Sequence, residues 1–129
     1  MINYPNLQCS QQNDRFTVND EAIGNGNLMY PIGLITADEV YLAGGNSFEN
    51  NTDYYLYTGN YYWTMSASDF SGEGFYANAT VVVVTWDGNM NTQGVSYDAD
   101  TSVRPTLNVV ASAFKYGDGT MNNPYRMTE

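Results

Sequence analysis

Four valines in a row, Val81 to Val84, sit inside a stretch from Phe75 to Trp86 that holds neither proline nor a charged residue. Side chains on a strand alternate between faces, so an unbroken β-branched run needs apolar cover on both sides. The run therefore predicts a central strand in a layered domain. Asp87-Gly88 follows at once and reads as a tight type I′ hairpin turn, returning the chain through Met90 and Val95.

The remaining elements are short. Thr36-Ala37-Asp38-Glu39 has capping-box spacing, with the Thr36 hydroxyl capping the first turn and Glu39 reaching back. A helix of about two turns is expected from there through Val40, Tyr41 and Ala43, ended by Gly44-Gly45. Pro31 to Ile35 reads as a short strand before it, and Asn13 to Val18 as another among polar loops. Tyr54 to Thr58 and Tyr61 to Ser66 are both rich in strand-favouring residues and are separated by Gly59-Asn60, which predicts a hairpin. Within the second string Tyr61, Trp63 and Met65 share one face, taken as the core face, while Tyr62, Thr64 and Ser66 share the other. Ser68 to Gly74 reads as a loop. Val103 to Ala111 reads as a strand with Pro105 at its start, at a bulge or at an edge, and Tyr125 to Met127 as a last short strand. Short strands, many Gly and Asn turns and one or two short helices define a small, mostly antiparallel α+β domain with long loops. At 129 residues the chain is read as one domain, 1–129.

Composition then excludes chemistry. No histidine is present, so Ser-His-Asp, Cys-His and histidine-ligated metal arrangements cannot form. Cys9 is alone, which leaves no intrachain disulfide and no Cys-x-x-Cys pair. Fourteen acidic residues face four basic ones, a net charge of -10, and no basic cluster exists to neutralise phosphates. Nucleic-acid binding and attachment to anionic membranes are disfavoured, and no apolar stretch is long enough to span a bilayer. No glycine cluster opens a helix after a strand, so a nucleotide fingerprint is missing.

Weaker patterns remain. Asp69, Glu73, Asp98 and Asp100 fall in expected loops and could supply a glycosidase carboxylate pair, though solvated loop charge explains them as well. Asp87, Asn89 and Asn91 alternate and Asp98 stands twelfth, superficially like a calcium loop. Thr92 holds the place where glycine would make the sharp turn, which favours hairpin polarity over an ion. Arg104, between apolar strand residues, is expected to be structural and to satisfy loop carbonyls or a carboxylate such as Asp38 or Asp69. Twelve Tyr and two Trp with abundant Asn, Ser and Gly form a palette suited to recognition surfaces. Tyr76, Trp86, Asn89, Asn91, Tyr97, Asp98 and Asp100 are the candidate ligand contacts, because loops on a rigid scaffold carry function.

Four strings in order, Tyr30 to Val40, Tyr54 to Ser66, Val103 to Asn108 and Gly117 to Tyr125, resemble a domain common in gut Firmicutes and their phages. That domain is found at the C-terminal end of longer surface or tail-associated proteins. It in turn resembles the formylglycine-generating-enzyme branch of the C-type-lectin-like fold, which includes the variable ligand-binding proteins of retroelements. The resemblance implies a C-type-lectin-like domain in which Trp63 and Arg104 are structural and the loops from Ser68 to Thr101 are variable. Ala67 departs from the proline common after the serine. The cysteines and metal ligands of the enzymatic branch are missing, so oxidase chemistry is not implied.

Three functions follow as expectations. The first is a non-enzymatic recognition domain on a bacterial or phage surface, extracellular or on the virion, binding protein or glycan through residues 68–101 without a cofactor. The second is a structural or assembly module whose aromatic surface packs on a neighbouring domain or a second copy. The third is a small carboxylate glycosidase.

Overall fold

A computed structural model describes residues 5–72, 78–96, 100–120 and 122–128. Its frame is a three-stranded antiparallel sheet of β2 (Tyr62–Ser71), β3 (Asn78–Val84) and β4 (Met90–Gly94), with β3 in the centre. A smaller antiparallel pair joins β1 (Gly33–Leu34) to β5 (Pro105–Thr106). Backbone bonds tie the two together along the outer edge of β2. The Met65 amide donates to the Ile35 carbonyl at 3.0 Å, the Trp63 amide to Ser102 at 3.1 Å, and the Ser102 amide to Tyr61 at 2.8 Å.

The valine run is central, and its end is closed on both sides, since neighbouring Val83 and Val84 are both buried. The one α-helix among the described residues, α1 (Ala37–Leu42), begins as its sequence dictates. The Glu39 amide donates to Thr36 Oγ1 at 3.2 Å and the Thr36 amide to Glu39 Oε2 at 2.8 Å. At its other end Gly44 takes a φ of 110°, and the Gly45 and Gly44 amides close on the Val40 and Tyr41 carbonyls. Thr36→Ala is expected to cost about 1 kcal/mol, read as a lower urea midpoint at unchanged slope. Equal stability would mean that packing alone holds so short a helix.

The core corrects the face expected on β2. Tyr62 is fully buried and Thr64 nearly so, whereas Tyr61 is exposed and Trp63 and Met65 are only half-buried. Alternation along the strand is as expected, but α1 covers the Tyr62 face. Ala37, Val40, Tyr62, Val84 and Met90 form one cluster, with Ile35, Tyr41, Tyr54, Leu56 and Val82 packed against it. Both faces of β2 carry aromatic and apolar residues, so hydrophobicity could not choose between them.

Other boundaries shift for equally local reasons. Tyr54 to Thr58 is a turn, closed by the Tyr57 amide on the Tyr54 carbonyl at 3.1 Å, and it pairs with no strand. Ser68 to Ser71 extends β2 instead of looping, pairing Asp69 with Thr80 and Ser71 with Asn78 after two register irregularities. The Val103 to Ala111 strand shrinks to Pro105–Thr106, because its partner β1 offers only two residues. Val18 and Tyr116 make isolated bridges, to Leu28 and Arg126, where longer strands were expected near them. The β3–β4 connection is a three-residue loop, not a two-residue type I′ turn. The Gly88 amide donates to Thr85 at 2.9 Å, the Thr85 amide to Asn89 at 2.8 Å, and only Gly88 has positive φ.

Candidate functional site

The tip of the β3–β4 hairpin, residues 85–89, is braced from below by tyrosines of the 54–57 turn. Tyr54 Oη donates to the Gly88 carbonyl at 3.3 Å and Tyr57 Oη to the Trp86 carbonyl at 3.2 Å. Tyr62 Oη donates to the Leu56 carbonyl at 3.3 Å, and Arg104 Nη1 donates to the same carbonyl at 2.7 Å. The Arg104 guanidinium also lies 4.7 Å from the centre of the Tyr62 ring, in cation–π geometry. Arg104 thus serves a loop carbonyl and a ring face, and not the Asp38 or Asp69 carboxylate named as alternatives. The consequence is a chain of polar contacts from the β5 side, through β2 and the 54–57 turn, to the hairpin tip.

Burial sets the electrostatics of this chain. It raises the pKa of Tyr54, helped by the adjacent Tyr62 hydroxyl, and raises that of Tyr62, while the Arg104 charge opposes both shifts. A raised folded-state pKa means that the folded protein keeps protons which the unfolded chain sheds above the ordinary tyrosine value of 10.0. Stability is therefore fully present below pH 10 and falls as pH climbs beyond it. Tyr54→Phe should flatten that alkaline loss in pH-dependent melting. An unchanged alkaline limb would place the titrating tyrosines elsewhere.

On this brace Trp86 projects with 59% of its surface exposed, although its backbone carbonyl is held by Tyr57. The polar residues beside it are more engaged than expected for ligand contacts. The Asp87 carboxylate accepts the Thr85 hydroxyl, which holds its carboxyl below the usual range, and accepts the Asn89 amide at 3.4 Å. Asn89 is half-buried, with its Oδ1 buried and without a hydrogen-bond partner. Asn91 is exposed, and its Oδ1 accepts the Thr92 amide at 2.8 Å, blunting the open edge of β4. The described part of the window weighed for calcium, residues 87–96, runs from the hairpin turn through β4 into a second turn. Among the described residues no three Asp, Glu or Cys side chains gather to hold an ion.

Asp100 lies apart from the tip. Its neighbour Thr101 accepts from Gln93 Nε2 at 3.3 Å, which places this loop four residues along β4 from Asn89, about 13 Å at strand rise. Trp86 and Asn89 share the hairpin tip and Asn91 follows on β4, while Asp100 precedes Thr101, which meets Gln93, and Ser102, which pairs with the outer edge of β2. Tyr76, Glu73, Tyr97 and Asp98 lie outside the described residues. Of the acids considered for a glycosidase, the described pair is Asp69, on β2 opposite Thr80, and Asp100, in the loop that leads through Thr101 to the Ser102 pairing with β2. The residues that reading the sequence missed are Tyr54, Tyr57 and Leu56, which carry the brace. Their signal was present only as tyrosines whose hydroxyls, if buried, would need carbonyl partners.

Among the described residues these features define a small, mostly antiparallel β domain with one short α-helix and an exposed aromatic tip on a tyrosine–arginine brace. No family model matches the chain, and neither a curated protein nor a solved structure does so. No helix among the described residues is long and apolar enough to cross a membrane.

Proposed function

We propose that this chain is a non-enzymatic recognition domain of C-type-lectin-like type on a bacterial or phage surface protein, binding protein or glycan through residues 68–101. The observation that carries the reading is Trp86, a large aromatic side chain left exposed at a tip whose backbone is fixed by Tyr54 and Tyr57. A rigid ring on a braced turn loses little entropy on binding and offers a stacking face to a sugar or an apolar side chain. Trp86→Ala is expected to weaken binding on glycan arrays or host-cell surfaces by about 2 kcal/mol, roughly thirtyfold, with thermal stability unchanged. Full binding by that variant would move the site away from the tip.

A second reading, an assembly module, is favoured by a different observation. Val110, Tyr125 and Met127 are each more than half exposed in the C-terminal segment. Where such residues join into one contiguous patch they mark an interaction surface.

A further inference from the structure

Beside β1 and the start of α1 runs a groove of about 1110 Å3, lined by Leu7, Phe16, Leu34, Met65, Val81 and Leu107 among others. Three carboxylate side chains, Asp14, Asp38 and Glu39, also line it, against one cation, Arg15; Asp38 accepts the Asn6 amide at 2.7 Å and Glu39 the Thr36 amide at 2.8 Å, so each keeps its charge with one oxygen engaged. That guanidinium is already occupied, donating to the Ile23 carbonyl at 3.0 Å and the Cys9 carbonyl at 2.5 Å. The groove therefore offers apolar contact under a negative field.

The C-terminal segment has the complementary character. In the C-terminal segment, Lys115 to Gly119 pair with Asn123 to Arg126 as a hairpin: the Lys115 and Tyr116 amides donate to the Arg126 carbonyl, the Arg126 amide to Tyr116 at 3.0 Å, and the Asp118 amide to Asn123 at 3.0 Å. The Phe114 and Tyr125 rings stand 5.7 Å apart on it. Among the described residues no hydrogen bond joins this hairpin to the rest of the domain. Charge is segregated as well. Lys115 and Arg126 against Asp118 leave residues 109–128 at +1, whereas twelve acids and two arginines leave residues 1–108 at -10. Of the four cations, Arg15 and Arg104 are spent on carbonyls inside the body.

We infer that the C-terminal hairpin of one copy seats in the acidic-lined groove of a second copy, and the reverse. The hairpin brings two cations and an apolar face, and the groove supplies their complements. Leu107 and Asn108, at the groove of each copy, lead directly into that copy's hairpin. An exchange of hairpins between two copies therefore closes on a two-fold axis and does not run on as a filament. Repulsion between the two acidic bodies is screened beyond about 8 Å at physiological salt, leaving the short-range match to decide. This interface shares no residue with the Trp86 tip, so it stands or falls independently of ligand recognition there.

The test is light scattering of the full chain over a micromolar-to-millimolar dilution series at physiological salt. A two-chain mass that dissociates on dilution is the expected result. The Lys115→Glu/Arg126→Glu variant should weaken the dimer by about tenfold or more, since like charges would then meet across the contact. Ala67→Trp, an exposed position lining the groove, should do the same without touching the hairpin, while near-UV circular dichroism reports both variants folded. Adding Asp14→Lys to the double variant should restore part of the lost affinity. A monomer at every concentration, or a dimer indifferent to both changes, would overturn the inference.

Discussion

Tyr62→Ala is expected to cost about 3–5 kcal/mol, enough to leave a domain of this size largely unfolded. Three losses coincide at that position. The ring fills the centre of the cluster formed with Ala37, Val40, Val84 and Met90, so its removal opens a cavity that a helix of six residues and a three-stranded sheet can only partly collapse around. The Arg104 guanidinium loses the ring face on which it rests. The Leu56 carbonyl loses one of its two donors. Tyr62→Phe keeps the first two contributions and removes only the hydroxyl, and should cost about 1 kcal/mol. Urea unfolding of the two variants separates cavity from hydrogen bond. A Tyr62→Ala protein that unfolds within 1 kcal/mol of the parent would mean that this cluster is not the core.

Gly88→Ala should be nearly as damaging, for reasons of backbone and not of burial. Gly88 has a φ of 78°, where an L side chain is strained by about 1–2 kcal/mol. A Cβ there would also overlap the Asn51 carbonyl oxygen, which is backbone and cannot swing aside. The expected loss is about 3 kcal/mol, with the 54–57 turn loosened from the hairpin tip because Tyr54 donates to the Gly88 carbonyl. Gly88→Asn discriminates the two causes. Asparagine tolerates positive φ, so a loss equal to that of alanine assigns the damage to the collision with Asn51, and a rescue assigns it to torsion. Melting of both variants in a Trp63→Phe background, where Trp86 is the one tryptophan left to report the tip, makes the comparison.

Local chemistry was readable in the sequence and tertiary choice was not. Thr36 and Glu39 lie within one turn of each other, so their mutual capping follows from spacing alone, and Gly44 ends the helix by a property of its own backbone. The valine run placed β3 in the centre because no other position hides both faces of Val83 and Val84. Tyr54 to Thr58 was misread because aromatic content reports a wish for half-buried surface, which a turn packed against the core satisfies as well as a strand. The face of β2 was misread because Tyr62 and Trp63 are equally able to fill a core, and only the docking of α1 decides which does. The tip shows the same division. Trp86 stood out as an aromatic at a turn, whereas Tyr54 and Tyr57, which hold it, became visible only once residues 29 and 34 positions apart were brought together.

The most direct measurement is binding of the isolated domain to arrayed glycans and intact host cells, beside a Trp86→Ala/Tyr97→Ala/Asp98→Ala variant of matched melting temperature. Recognition through residues 68–101 predicts saturable binding by the parent and its loss, by about two orders of magnitude or more, in the variant. Saturable binding that survives all three substitutions would contradict it.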